Sequence, residues 1–192
     1  MALTFSFYAT QKSQSISQDV KITYRRQQTI FKDGSAPLQL TSKVVRLRKA
    51  DGSWKESVTD YDENGLETRT RVQYAINGRG LFLVSEKNKK LFLVAERPGP
   101  PVAFPAEAMK NKPNFVKEDS LLGYKTIVTR DGSDNVNYWE THYATELNGL
   151  LLKSIDANAE SMNVQEAVEI KVETITPEEF GKLPDYPIEK AY

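Results

Sequence analysis

Residues 43–61 read KVVRLRKADGSWKESVTDY and carry the clearest hairpin signal in the chain. Apolar and polar residues alternate through Val45-Arg46-Leu47-Arg48, and Trp54 and Val58 continue the alternation on the return. An Asp-Gly pair accepts the positive φ angles of a tight turn, so Asp51-Gly52 marks the reversal. The stretch therefore predicts two antiparallel strands.

The same turn signal recurs along the chain. Further Asx-Gly pairs lie at Asp33-Gly34, Asn64-Gly65, Asn77-Gly78, Asp131-Gly132 and Asn148-Gly149. Between them, alternation with a period of two predicts strands near 20–24, 66–76, 123–130, 136–144, 150–155 and 162–174. The predicted fold class is mainly β: a single strongly curved antiparallel sheet, an open or half barrel, with one or two short helices.

The 192 residues fit one β-rich domain over 1–192. Five prolines interrupt residues 97–114, which predicts a long irregular loop with at most a short helix near 106–110. Residues 176–192 are predicted as a short helix and tail, because Thr176-Pro177-Glu178-Glu179 has the pattern of a capping box.

Two runs are continuously apolar rather than alternating. They are Leu81-Phe82-Leu83-Val84 and Leu91-Phe92-Leu93-Val94-Ala95, joined by a charged tip. Strands that are buried on both faces read this way. The runs therefore predict two strands near the middle of the sheet.

Composition excludes several functions. Lysine plus arginine equals aspartate plus glutamate at 26 each, so no net field would attract nucleic acid. The chain has no cysteine, which removes thiolate chemistry and zinc–thiolate sites, and no apolar run long enough to span a membrane. No cofactor or metal is predicted. The first eight residues lack the pattern of a signal peptide, so an exported protein would be represented here by its mature portion.

His142 is the sole histidine, and on an alternating strand it shares a face with Glu140. Such a pair could act as an acid–base couple in a hydrolase or lyase. Neighbours two apart on a strand are adjacent by construction, so a structural histidine explains the same spacing. We predict no catalytic residue.

Residues 60–65 read DYDENG, the opening of a calcium-binding loop. The position that should supply a closing bidentate glutamate is Arg71, and a polar turn between strands explains the same letters. The turn is the interpretation we favour.

Arginines recur on several predicted strands and could form a basic stripe. They lie at positions 25, 26, 46, 48, 69 and 71, with Glu56, Asp60 and Glu67 among them. Cross-strand ion pairing on a solvated sheet face explains the pattern without a nucleic-acid partner.

Large aromatic residues are spread over different strands. A curved sheet that its own side chains fill only in part leaves an apolar cavity. The candidate ligand-binding residues are Trp54, Phe82, Phe92, Phe104, Trp139 and Tyr143. A fully packed core would use the same residues.

Three phrases on the meander resemble segments of uncharacterised bacterial envelope proteins. They are Leu122-Gly123-Tyr124-Lys125-Thr126, Tyr138-Trp139-Glu140 and the stretch LNGLLLK at 147–153. Those proteins are similar to the lipoprotein carriers LolA and LolB, whose bent, unclosed sheet holds acyl chains. The resemblance implies a location in the periplasm, the cell envelope or outside the cell, and binding rather than catalysis. The chain lacks the amphipathic helix that precedes the meander in the carriers.

Three functional hypotheses follow. The first is a noncatalytic envelope protein that binds an apolar small molecule, a lipid or a lipidated protein in the concave face of the sheet. The second is an interaction or scaffold domain that uses a sheet edge or the 97–114 loop. The third is an enzyme built on the His142–Glu140 pair.

Overall fold

The computed structural model describes residues 18–31, 36–96, 106–132 and 134–191. Within them, twelve strands form one sheet. The strands are β1 Val20–Ile30, β2 Leu38–Arg48, β3 Trp54–Tyr61, β4 Glu67–Ile76, β5 Gly80–Ser85, β6 Lys90–Glu96, β7 Phe115–Leu121, β8 Tyr124–Gly132, β9 Tyr138–Ala144, β10 Leu150–Ala157, β11 Ser161–Val172 and β12 Ile188–Lys190.

The sheet joins two meanders. One runs from β1 to β6 and the other from β7 to β11, and they meet where β1 pairs with β11 along its whole length. All pairings are antiparallel except that of β12, which adds to β6 in parallel. The order ends at β12 on one side and β7 on the other, so the sheet is open. The predicted fold class, a single curved antiparallel sheet left unclosed, is confirmed.

Turn chemistry explains the meanders. Asp51-Gly52 joins β2 to β3 with Gly52 at φ 90°, and Asn148-Gly149 joins β9 to β10 with φ angles of 51° and 71°. Both glycine positions lie in the left-handed region that favours this residue. The predicted hairpin between β2 and β3 is confirmed. The Asp33-Gly34 pair lies outside the described residues.

Helices are few and short in the described part of the chain. A 3₁₀ helix spans Ala106–Asn111, at the predicted place, while residues 97–105 lie outside the described residues. Helix α1 covers Pro177–Phe180. Its capping box is present, because the Thr176 hydroxyl accepts from the Glu179 amide and the Glu179 carboxylate accepts from the Thr176 amide.

The strands bury two different faces. The inner face carries a core of Val20, Ile22, Tyr24, Val44, Val58, Ala144, Leu150, Leu152 and Ala167. The outer face carries Leu47 and Tyr74, on which the C-terminal segment packs Ile175 and Phe180. The Tyr74 and Phe180 rings meet edge to face at 6.0 Å between centroids.

One side chain bridges the inner face across a strand. The Tyr24 hydroxyl on β1 donates to the Leu151 carbonyl on β10 at 2.9 Å, passing over β11. The residue of β11 paired with Tyr24 is Ala167, which is small enough to lie beneath the ring. Tyr24 thereby ties the strands together where the two meanders join.

The prediction that the two apolar runs lie in the middle of the sheet is wrong. They form β5 and β6, next to the edge strand β12. Phe82 and Leu91 are buried, but Leu83 and Val94 are 42% and 39% exposed. The runs are therefore apolar on both faces, although Phe82 and Leu91 are their only buried residues.

Candidate functional site

The register of the pairings gives a map of the inner face. Directly paired residues of neighbouring antiparallel strands lie on the same face. The first row runs from β11 to β6 through Val172, Val20, Arg48, Trp54, Ala75, Leu81 and Ala95. The next row runs through Ile170, Ile22, Arg46, Glu56, Gln73, Leu83 and Phe92. Two arginines and one glutamate therefore stand within apolar rows.

Glu56 is buried and fully engaged. The residue is only 3% exposed to solvent. One carboxylate oxygen accepts from Nε of Arg46 at 2.8 Å and from a terminal nitrogen of the same guanidinium. The other oxygen accepts from Gln73 Nε2 at 2.7 Å. Both oxygens of the Glu56 carboxylate are thus already used within the chain.

The Arg46 guanidinium is enclosed by aromatic rings as well. Its Cζ lies 5.6 Å from the Tyr24 ring centroid and 5.5 Å from that of Trp54. Cation–π contacts of this kind stabilise a cation that has lost part of its hydration. Burial alone would lower the pKa of Arg46, but Tyr24 and Glu56 outweigh it and raise the pKa above its usual value.

Arg48 is only 7% exposed, but among the described residues it has neither a carboxylate nor an aromatic ring as a partner. Its Nε is inaccessible to solvent and makes no hydrogen bond. Among the described residues, the one other side-chain atom in this state is the hydroxyl oxygen of Thr126. Burial lowers the pKa of Arg48 to about 10; the nearby Tyr24 opposes the shift and the positive charge of Arg46 adds to it. The group is still charged at neutral pH, so among the residues that the structure describes the inner face holds a cation without a paired anion.

An apolar strip lies beside these charges. It consists of Leu81 and Leu83 on β5 and Phe92 on β6, all on the inner face. None of the three is fully buried, and Leu83 is 42% exposed. Partly exposed apolar side chains that lie together can contact an apolar ligand.

The predicted aromatic residues do not all share this face. Trp54 and Phe92 lie on the inner face and are partly buried. Phe82 pairs with Tyr74, so it lies on the outer face, where it is 3% exposed. Trp139 is 51% exposed and Tyr143 is partly buried, both on β9. Phe104 lies outside the described residues.

Sequence reasoning did not select Arg48 and the two leucines as ligand-binding residues. Arg48 was read as part of a solvated stripe, although its partner across the turn is the apolar Trp54. Leu81 and Leu83 were read as core. The period of two could have placed Arg48 on the face of Val44, but it could not show that this face is the buried one.

The basic stripe proved to be only partly solvated. Cross-strand pairing is confirmed for Arg46 with Glu56 and for Arg71 with Asp60, where a nitrogen lies 2.9 Å from the carboxylate. The prediction that these residues lie on a solvated sheet face was wrong for Glu56, which is buried. Its location in the centre of the inner face explains the difference.

The DYDENG segment is a polar turn. The Asp62 carboxylate accepts from the amides of Asn64 and Leu66 at 2.9 Å each. Asp60 pairs with Ser42 and Arg71. These oxygens therefore stabilise the β3–β4 connection and the strands beside it.

His142 and Glu140 do meet, with His142 Nε2 at 3.0 Å from a Glu140 oxygen. The other Glu140 oxygen accepts from Arg130 Nε at 3.0 Å. Burial raises the pKa of Glu140, but the hydrogen bonds from His142 and Arg130 outweigh it and hold that pKa below its usual value. The geometry is that of a polar cluster in which Arg130 also lies 4.4 Å over the Tyr138 ring.

Two open cavities lie away from the apolar strip. One, of about 220 Å³, is on the outer face and is lined by Lys21, Val45, Leu47, Lys55, Ser57 and Glu179. The other, of about 420 Å³, lies where the chain enters β1 and leaves β11, and it is lined by Gln18, Asp19, Ala50, Val172, Glu173 and Thr174. Their charged linings do not suit an apolar ligand.

Comparison with solved structures gives the class of fold. The chain is similar to an uncharacterized conserved protein from Thermus thermophilus, with 12% identity, 93% of each chain covered and a TM-score of 0.52. It is also similar to a DUF1329 family protein from Desulfovibrio piger, with 8% identity, a TM-score of 0.37 and 85% and 90% of the two chains covered.

A LolA superfamily protein from Nitrosomonas europaea is a further match, with 10% identity, a TM-score of 0.34 and 86% and 90% of the two chains covered. No family model matches the chain, and no curated protein matches it. Among the described residues, no helix combines the length and the apolar character needed to cross a bilayer.

Proposed function

We propose that the protein is a noncatalytic binding protein that holds an apolar small molecule, a lipid or a lipidated partner against the inner face of its sheet. The observation that carries the proposal is the apolar strip of Leu81, Leu83 and Phe92, which stays partly exposed on the sheet face that also carries the main core cluster. Trp54 and Ala75 continue this surface toward the centre of the sheet. The strip lies on β5 and β6, near the β12 end of the strand order.

The proposal includes a location in the bacterial periplasm or cell envelope. This location is implied by the resemblance to the lipoprotein carriers. Of the six aromatic residues predicted from the sequence, Trp54 and Phe92 stay in the proposed site because they share the strip's face. The other four aromatic residues remain predicted ligand-binding residues and are not part of the proposed site.

Native mass spectrometry after incubation with a bacterial lipid extract tests the proposal. We expect a bound lipid and a raised melting temperature, because a ligand at one hundred times its Kd stabilises the folded state by about 2.7 kcal/mol. Leu83→Lys should abolish both effects by placing a charge on the strip. Leu66→Lys is the matched control, since Leu66 is 65% exposed in a turn. Absence of any bound lipid and of any thermal shift in the parent protein would refute the proposal.

A second candidate, an interaction domain, has its surface at β7. This strand ends the sheet order, so one side of its backbone has no neighbouring strand among the described residues. Val116 is 47% exposed there, whereas Lys117 and Asp119 form an ion pair at 2.8 Å. Charged residues on an edge strand discourage pairing with other chains. Co-purification of a defined partner that Val116→Pro releases, without lipid binding, would favour this candidate.

A further inference from the structure

The uncompensated charge of Arg48 lies beside the apolar strip. Its row on the inner face continues through Trp54 and Ala75 to Leu81. Strands in a sheet are about 4.8 Å apart, so Arg48 and Leu81 are separated by roughly 14 Å across three strand spacings. This separation suits a ligand with a charged head at one end and an apolar chain at the other.

Within the described ranges of the chain, no carboxylate forms an ion pair with Arg48. The carboxylate in the adjacent row, Glu56, has both oxygens occupied by Arg46 and Gln73. Arg48 Nε is buried without a hydrogen bond. A buried N–H of a charged group that lacks a partner destabilises a folded protein, and an oxyanion is the partner that the planar guanidinium binds best.

We propose that the inner face binds the anionic head group of an amphiphile, with Arg48 donating to a carboxylate or phosphate oxygen and the apolar strip contacting the chain. This inference rests on the proposed function and specifies its ligand class. Arg46 in the adjacent row is paired with Glu56, so the charge that binds the head group is that of Arg48. Trp54 separates the head group from the strip and presents an apolar ring to the first part of the chain.

Calorimetric titration of the full chain tests the assignment with amphiphiles below their micelle concentrations. The probes share a twelve-carbon chain: dodecanoate, dodecyl phosphate, dodecanol and dodecyltrimethylammonium, with inorganic phosphate as a head group alone. We expect both anionic probes to bind at least about tenfold more tightly than dodecanol, which is what one charge-assisted hydrogen bond provides. Inorganic phosphate should bind more weakly than dodecyl phosphate by a similar factor.

Variants assign the preference to a residue. Arg48→Met should bring the anionic probes to within about threefold of dodecanol while dodecanol binding is retained, because only the charge-assisted hydrogen bond is removed. Arg48→Lys keeps the charge without the planar fork, so an intermediate preference is expected. Arg25→Met, at an exposed position of β1, is the matched control and should leave the preference unchanged. Circular dichroism verifies that each variant folds.

Several results would overturn the inference. Equal binding of dodecanol and dodecanoate, stronger binding of the cationic probe, or an unchanged preference in Arg48→Met would each show that Arg48 does not bind the head group. Inorganic phosphate that binds as tightly as dodecyl phosphate would indicate a site for a free anion. In the first and third cases dodecanol still binds, so the proposed function survives. If no amphiphile of any charge binds, the proposed function fails as well.

Discussion

Arg46 and Arg48 lie two positions apart on the same strand face, yet their surroundings are opposite. Arg46 has a carboxylate and two aromatic rings as partners, whereas Arg48 Nε makes no hydrogen bond within the part of the chain that the structure describes. Removing one member of a buried ion pair leaves an uncompensated charge, while replacing an unpaired buried charge by an apolar side chain removes a desolvation cost. Substitutions at the two arginine sites should therefore change stability in opposite directions.

Glu56→Ala should lower the free energy of unfolding by roughly 1–3 kcal/mol, because the partly buried guanidinium of Arg46 would lose its carboxylate. Urea unfolding followed by tryptophan fluorescence measures the change. Glu67→Ala, at an exposed position of β4, is the control and should stay within about 0.5 kcal/mol. A loss below about 1 kcal/mol in Glu56→Ala would show that the pair is solvated in solution.

Arg48→Met should raise the free energy of unfolding of the ligand-free protein by about 1 kcal/mol, since an unsatisfied buried donor is replaced by an apolar chain of similar length. Arg25→Met, which is exposed, should have little effect. The same urea titration gives both values. Destabilisation of Arg48→Met by more than about 2 kcal/mol would mean that the guanidinium has a stabilising partner in solution.

Glu140 makes stability depend on pH. Its pKa is lowered in the folded protein by His142 and Arg130 in spite of burial, which raises it. A lowered folded-state pKa adds stability that is fully present above the usual value of 4.5 and is lost as the pH falls through the folded-state pKa. Glu140→Gln should therefore flatten the loss of stability between neutral and acidic pH. Glu63→Gln, in the exposed β3–β4 turn, should keep the parent profile in the same urea titrations.

Helix α1 shows how a short element can be held by one side chain. It has four residues, too few to be stable alone, and Phe180 is buried to 8% exposure against the outer face. Phe180→Ala should cost about 3–5 kcal/mol through the lost contact with Tyr74 and the cavity left behind. Glu178→Ala in the same helix is exposed and should cost little. Thermal unfolding of the two variants gives the comparison, and equal melting temperatures would show that α1 is not docked.

Local sequence patterns predicted individual strands and turns well, but they predicted poorly which strands lie next to each other in the sheet. The Asp51-Gly52 hairpin and the Thr176 capping box follow from residues close in sequence, and both are present. The place of β5 at the side of the sheet depends on which strands pair across long separations, which alternation does not encode. β7 was not predicted because FVKEDSL has Lys, Glu and Asp in succession, which breaks the alternation and suits an edge strand.

The candidate site was predictable only in part for the same reason. Trp54 was selected because it is large and aromatic, and it lies on the inner face. Arg48 was assigned to a solvated stripe, since charge alone indicates exposure. Its burial depends on which residues cover that face of the sheet, and local alternation does not encode this.

At the level of the whole molecule, the two ends of the sheet are protected differently. β12 covers β6, where the Leu91 amide donates to the Pro187 carbonyl at 2.9 Å and the Ala191 amide donates to the Leu93 carbonyl at 3.0 Å. Deleting residues 187–192 should leave these backbone groups of β6 unpaired at an apolar edge strand, which should cause concentration-dependent self-association. Size-exclusion chromatography with light scattering measures it.

The control for this deletion keeps the backbone pairing. Glu189→Ala with Lys190→Ala removes side-chain ion pairs of β12 with Lys90 and Glu96 but leaves the strand in place. We expect this variant to behave as the parent does. If the shortened chain stays monomeric at all concentrations, β12 has no protective role.

The seam between β1 and β11 joins residues that are far apart in the chain, with Arg26 and Gln165 separated by 139 positions. Non-local contacts of this kind slow folding, because the entropy of closing the long loop is lost before the pairing forms. On a ribosome that adds about 5–20 residues per second, the first meander emerges and then waits on the order of ten seconds for its partner strand. Newly made chains thus pass through a stage with an unpaired β1 edge, when chaperone capture competes with misassembly.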